Sequence, residues 1–191
     1  MQRLPDDGRG LAPRARVELA RDELGQGVLL SWSAGLLGGS VRYDDPTRPH
    51  LTWLGGPHAA WLLKLSPVQA EPQDYWARAW GGRALLYVWD DAAPELVPAV
   101  LAALVDPSWR VREMAAKVAA RREVGQAGEA LLPLADDEVP RVRAAAVRAL
   151  GVVGEGEALD VARAAQDDAD PAVHRAGELS LRRLQERLDR W

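Results

Sequence analysis

Asp106-Pro107-Ser108-Trp109-Arg110-Val111-Arg112-Glu113-Met114-Ala115-Ala116 is matched by Asp137-Glu138-Val139-Pro140-Arg141-Val142-Arg143-Ala144-Ala145-Ala146-Val147, and again by Asp168-Ala169-Asp170-Pro171-Ala172-Val173-His174-Arg175-Ala176-Gly177-Glu178. The three stretches align without a gap, each 31 residues after the last. One column holds Asp106, Asp137 and Asp168, another Val111, Val142 and Val173, and a third the small residues Ala115, Ala146 and Gly177. Three coincident columns at one period mark a stacked repeat, in which each unit is one supersecondary element that cannot bury its apolar face alone.

Outward from each aspartate, the apolar spacing predicts a pair of helices. A shorter first helix covers 95–105, 129–135 and 157–166, and a longer second helix covers 108–121, 139–150 and 171–190. Along the second helices, Val111, Ala115, Val118 and Ala119 fall on one stripe, repeated by Val142, Ala146, Ala149 and Leu150. Pro171 suits a first helical turn, where its missing N–H costs nothing. Gly125, and Gly151 with Gly154, break the chain between hairpins. The fold class is all-α, an α-solenoid of helical hairpins.

The pattern D-x-x-x-x-V-R-x-x-A-A over residues 92–191 resembles the HEAT-repeat family, in particular its short bacterial, PBS-lyase-type repeats. The resemblance implies a ladder, in which a turn Asp and an Arg six residues on tie adjacent repeats. Asp106 with Arg112 and Asp137 with Arg143 match that spacing, and Asp168 faces His174, a weaker partner. These six residues are therefore assigned a structural role. It also implies that the second helices line the concave face.

Residues 1–11 lack apolar patterning and are expected to be a flexible N-terminus. The stretch 12–73 is expected to be an irregular helical cap, with helices over 13–24, 28–37 and 57–65 and a Gly/Pro-rich stretch over 40–56 that is a loop or an ordered excursion. Residues 74–191 then hold the HEAT-like repeats, beginning with a degenerate unit at 74–105. Shifting Val111 and Ala115 back one period lands on Trp80 and Ala84 within a helix over 74–89, but Gly81 stands in the Arg position, so the ladder is lost there. Two adjacent glycines, Gly81-Gly82, cost a helix about 1 kcal/mol each against Ala. They imply close backbone contact with the N-terminal part.

Composition narrows the chemistry. With no cysteine, disulfides, thiolate metal sites and cysteine nucleophiles are excluded. The histidines, His50, His58 and His174, lack helical ligand spacing, and neither a metal nor any other cofactor is expected. Asp44, Asp45, His50 and His58 gather along one stretch, where turn and helix-start roles explain them. No apolar run reaches membrane-spanning length and the N-terminus lacks a signal-peptide core, so a cytoplasmic location is expected. Phe, Ile and Asn are absent and two lysines stand against twenty-two arginines, the mark of a GC-rich, bacterial genome. Arginine in place of lysine here is thus no sign of phosphate recognition. Of eight tryptophans, Trp32, Trp61, Trp80 and Trp89 fit apolar stripes and are assigned to the core.

The functional clue is charge placement. From residue 91 onward, thirteen of fourteen Arg and Lys lie on or at the ends of the second helices, with Arg163 the exception. Beside the ladder, Arg110, Lys117, Arg121, Arg141, Arg148 and Arg175 form a basic strip. Trp109 stands where the next repeat has Pro140, so packing does not demand an aromatic, and Glu113 follows one turn later. These eight residues are the candidate binding site. The reading that follows is a non-catalytic, monomeric protein-interaction module for an acidic or peptide partner. Nucleic acid on the same strip is the alternative, disfavoured by a net charge of -4. The Trp109–Glu113 pair also resembles the Trp and carboxylate of HEAT-like alkylpurine DNA glycosylases, with Glu for that family's Asp and few repeats to wrap a duplex. HEAT-repeat metal hydroxylases carry His-Glu pairs that this chain lacks, and nothing specific supports the bilin binding of phycobilin lyases.

Overall fold

The computed structural model describes residues 11–189; residues 1–10 of the expected flexible N-terminus, with Arg190 and Trp191, lie outside the described residues. Among the described residues the regular structure is helix and short 3-10 turns, with no strand. It divides into two compact units, Met1–Ala99 and Val100–Trp191.

The first unit holds α1 (Pro13–Leu24), α2 (Gln26–Leu37), α3 (Thr52–Gly55), α4 (Pro57–Leu62), α5 (Pro67–Ala70) and α6 (Tyr75–Leu85). Gly25, at φ 86, makes the one-residue turn between α1 and α2. Helix α6 packs on α2, and the expected role of Gly81 is visible there. A Cβ on Gly81 would lie 2.6 Å from the Ser33 carbonyl oxygen and 3.1 Å from the Leu37 nitrogen, so only glycine lets the two backbones approach. The helix stops at Leu85 rather than at 89, although Val88 is still buried.

Of the two forms expected for the 40–56 stretch, loop or ordered excursion, it takes the second. Leu51, Trp53 and Leu54 are buried, α3 forms within it, and α3 rests on α1 and α6. Arg16 and Arg83 both donate to the Leu54 carbonyl, at 3.3 and 3.2 Å, covering the C-terminal end of α3. Burial pushes both guanidinium pKa values down. Trp61 is not core: it is 51% exposed, because six-residue α4 buries Ala59 and Leu62 and Trp61 falls off that stripe. Trp53, embedded between turn signals, is the buried aromatic instead.

Helix α7 (Leu96–Leu104) crosses the division between the units. The second unit continues with α8 (Trp109–Arg121), α9 (Gly128–Leu131), α10 (Pro140–Val153), α11 (Ala158–Ala164) and α12 (Pro171–Leu188). The first helices are shorter than the periodicity suggests. Helix α9 gives way to a 3-10 turn at Pro133–Asp136, since Pro133 removes a donor, and α11 ends in another at Ala165–Asp167. The second helices stack in order, α8 on α10 and α10 on α12. Pro140 and Pro171 sit in their first turns.

Small residues set the spacing between these helices. Gly151 on α10 meets α12 at Ser180, whose Cα would lie 2.9 Å from an added Cβ, and the Ser180 hydroxyl donates to the Val147 carbonyl at 2.8 Å. Ala144, Val147, Ala165, Val173 and Ala176 form one buried cluster between α10, α12 and the turn after α11. Gly177 closes the last hairpin. A methyl there would meet three backbone atoms, Ala162 O, Ala165 C and Gln166 N, each at 2.9 Å. Gly177→Ala therefore loses more to overpacking, about 1–3 kcal/mol, than the roughly 1 kcal/mol it gains in helix propensity. Urea unfolding is expected to show a lower midpoint for Gly177→Ala; an unchanged or higher midpoint would show that α12 has room to move.

Candidate interaction face

The turn aspartates position everything on the second helices. Each carboxylate accepts the backbone N–H two residues on: Ser108 N to Asp106 at 2.8 Å, Val139 N to Asp137 at 2.9 Å, and Asp170 N to Asp168 at 2.8 Å. This Asx turn fixes the entry of the chain into the following helix. The arginines then bridge repeats. Arg112 donates from Nε and Nη2 to the two carboxylate oxygens of Asp137, at 2.7 and 3.1 Å, and from Nη1 to the Asp106 carbonyl at 2.9 Å. Arg143 repeats the pattern on Asp168, at 2.8 and 3.0 Å, and on the Asp137 carbonyl at 2.9 Å. The six-residue spacing is thus met through the carbonyl, while the carboxylate partner is the aspartate 25 residues on, in the next repeat.

His174 occupies the arginine column but makes no such bridge. Its Nδ1 contacts the Gln166 carbonyl and its Nε2 lies 3.6 Å from Glu178. The short imidazole reaches its own turn, and the Asp168 carboxylate is already held by Arg143. The Arg143 hydrogen bond holds the Asp168 carboxyl below the usual carboxylate range and raises the arginine in return. At the other end of α12, Arg187 donates to the Val152 and Gly154 carbonyls at the C-terminal end of α10. That tie lies outside the repeat columns, which is why the sequence did not signal it.

Arg112 and Arg143 are committed inside the array, which leaves the six cations of the candidate strip. Stepping by 31 residues gives rows across α8, α10 and α12: Arg110, Arg141 and Ala172; Glu113, Ala144 and Arg175; Lys117, Arg148 and Leu179. Arg121, Arg141, Arg148 and Arg175 are exposed. Arg148 reaches the Ala172 carbonyl at 3.4 Å, whereas Arg121 and Arg175 stand away from the tighter group that forms around Trp109.

That group joins Trp109, Arg110, Glu113, Lys117 and Arg141. The half-buried Trp109 ring has the Arg110 guanidinium 4.3 Å from its centroid and that of Arg141 at 5.4 Å. Both distances are within the range of cation–π attraction. Glu113 is 7% exposed, and its Oε1 accepts from Lys117 Nζ at 2.8 Å and from Arg141 Nε at 3.1 Å. The pairing of Glu113 with Arg141 was missed from sequence. Its signal is a separation of 28 residues, one period less one helical turn, which brings a side chain on α10 beside one on α8.

Three of the acidic and imidazole groups in the 40–56 stretch are held locally. Asp44 pairs with Arg42, Asp45 caps Thr47, and His50 contacts the Thr52 hydroxyl. Among the described residues, no three His, Cys, Asp or Glu side chains are grouped to hold a metal ion. Nor is any helix there long and apolar enough to cross a membrane.

Residues 97–182 match the family described as HEAT repeats. This segment is a HEAT-repeat array. No curated protein matches the chain. HEAT repeats generally mediate contacts between proteins, and the ladder geometry shows how this array keeps its stacking residues apart from its exposed cations.

The ladder predicts a pH dependence. The folded pKa of Asp168 lies below its unfolded value of about 3.9, so its contribution is present above that value and lost as pH falls through the folded one. Asp168→Asn is expected to lower stability near neutral pH by about 1–2 kcal/mol and to flatten the acid limb below pH ~4. Urea titrations at several pH values measure both; an acid limb as steep as that of the unaltered protein would contradict the assignment.

Proposed function

We propose that the HEAT array is a non-catalytic, cytoplasmic, monomeric protein-interaction module that takes an acidic segment of a partner protein along its second helices. One observation carries this reading: the strip of Arg110, Lys117, Arg121, Arg141, Arg148 and Arg175 lies beside a ladder whose own arginines are bound within the stack. A surface that gathers one sign of charge draws the opposite sign and speeds encounter with it.

The same strip could meet a nucleic-acid backbone, but the balance of charge opposes it. From Val100 onward there are sixteen Asp and Glu against fourteen Arg and Lys, a difference of -2, so the cations attract a partner locally within an acidic unit. A catalytic role for Glu113 has less support still. A general base must reach a proton of its substrate, whereas this carboxylate is 7% exposed and already holds Lys117 and Arg141 on Oε1.

The test compares two labelled probes by fluorescence anisotropy, an octaglutamate peptide and a 20-base-pair DNA duplex, at two salt concentrations. The peptide is expected to bind, and the triple reversal Arg121→Glu, Arg148→Glu, Arg175→Glu to weaken it at least tenfold while helicity and melting temperature stay unchanged. Preferential binding of the duplex, or an indifferent triple variant, would overturn the reading.

A further inference from the structure

We propose that Glu113 is an internal competitor for the acidic partner, occupying the cations at the centre of the face so that only a segment with several carboxylates binds well. The proposal rests on the reading of the second-helix face as an acidic-segment site, and adds what the site selects for.

The fold does not require an acid at this position. The equivalent residue of the next repeat is Ala144, equally buried on a helix of the same kind, and the third repeat has Arg175. Glu113 is 7% exposed, and both cations it holds belong to the outer strip. Lys117 approaches from the same helix, with its side chain 41% exposed, and Arg141 from the neighbouring repeat, with its side chain 67% exposed. A buried acid thus draws two exposed cations toward itself. It also does so across the boundary between repeats, where a partner lying along the array would cross.

The remaining geometry agrees. Arg141 spends Nε on Glu113, and among the described residues its terminal nitrogens make no hydrogen bond within the protein. Its guanidinium and that of Arg110 flank the Trp109 ring within cation–π range. On Glu113 itself the sum is two cations, Lys117 and Arg141, against one acid. An incoming carboxylate at Lys117 and Arg141 meets the charge of Glu113 a few ångströms away, and Glu113, being tethered, holds its place at a high effective concentration. A single carboxylate therefore gains little. A segment that also reaches Arg121, Arg148 and Arg175 gathers enough separate contacts to bind despite it.

Glu113→Gln is the direct test, because the amide keeps an oxygen for Lys117 and Arg141 but removes the charge. It is expected to bind octaglutamate about three- to tenfold tighter than the unaltered protein, and to gain proportionally more for a Gln-rich octapeptide carrying one Glu. Glu113→Ala, which copies Ala144, is expected to move affinity in the same direction. Unchanged or weaker binding in both variants would overturn the proposal, as would loss of helicity in both, since Glu113 would then be a residue the fold requires. Arg148→Glu separates the two levels. If it abolishes peptide binding while the Glu113 variants do nothing, the face stands and the competitor does not; if neither change matters, the face itself is wrong.

Discussion

Each ladder arginine holds four points at once: two carbonyls of its own turn and both oxygens of the next repeat's aspartate. That aspartate is in turn fixed by the backbone N–H two residues on. Stacking of one repeat on the next and the start of each second helix are therefore set by the same carboxylate. A bidentate, charge-assisted pair is directional, whereas the alanine-rich contacts between α8, α10 and α12 are not. Burial of valine and alanine supplies the bulk of the cohesion. The pairs determine the register in which it is gained. Partial burial also makes them costly to break from one side, since the partner is left charged and unpaired.

The sequence revealed most of this array and much less of what precedes it. A fixed period carries its own check, because a helix misplaced in one repeat disagrees with two others. Val111, Val142 and Val173 are buried as their column requires. What the period could not give was the partner of each arginine. Spacing within a repeat suggests a contact six residues away, but side-chain length and stacking deliver the carboxylate 25 residues away instead. The first unit has no second copy against which to test a reading. There Thr52–Gly55 forms a helix because Leu51, Trp53 and Leu54 find a core, a tertiary effect that overrides the local Gly and Pro signals. Trp61 was misplaced for the opposite reason: an apolar residue within a helix was assigned to a stripe that the short helix does not extend far enough to bury.

The candidate face was legible as a list of residues and not as an arrangement. Charge counting placed six cations on the second helices, yet it treated them as equals. The structure separates Arg121 and Arg175, which are simply exposed, from Lys117 and Arg141, which share the buried oxygen of Glu113. Trp109 stood out by its absence of a counterpart, and its ring now has guanidinium groups from two repeats against it. Repeats make irregularities informative. A column that holds Glu113, Ala144 and Arg175 cannot be serving packing alone.

The separation of stacking residues from the exposed cations depends on the ladder arginines being bound inside the stack. A double-mutant cycle on Arg112→Ala and Asp137→Ala, read by urea unfolding, measures that link most directly. The expected coupling between the two positions is about 1–3 kcal/mol. A coupling below about 0.3 kcal/mol would contradict it, placing Arg112 among the free surface cations.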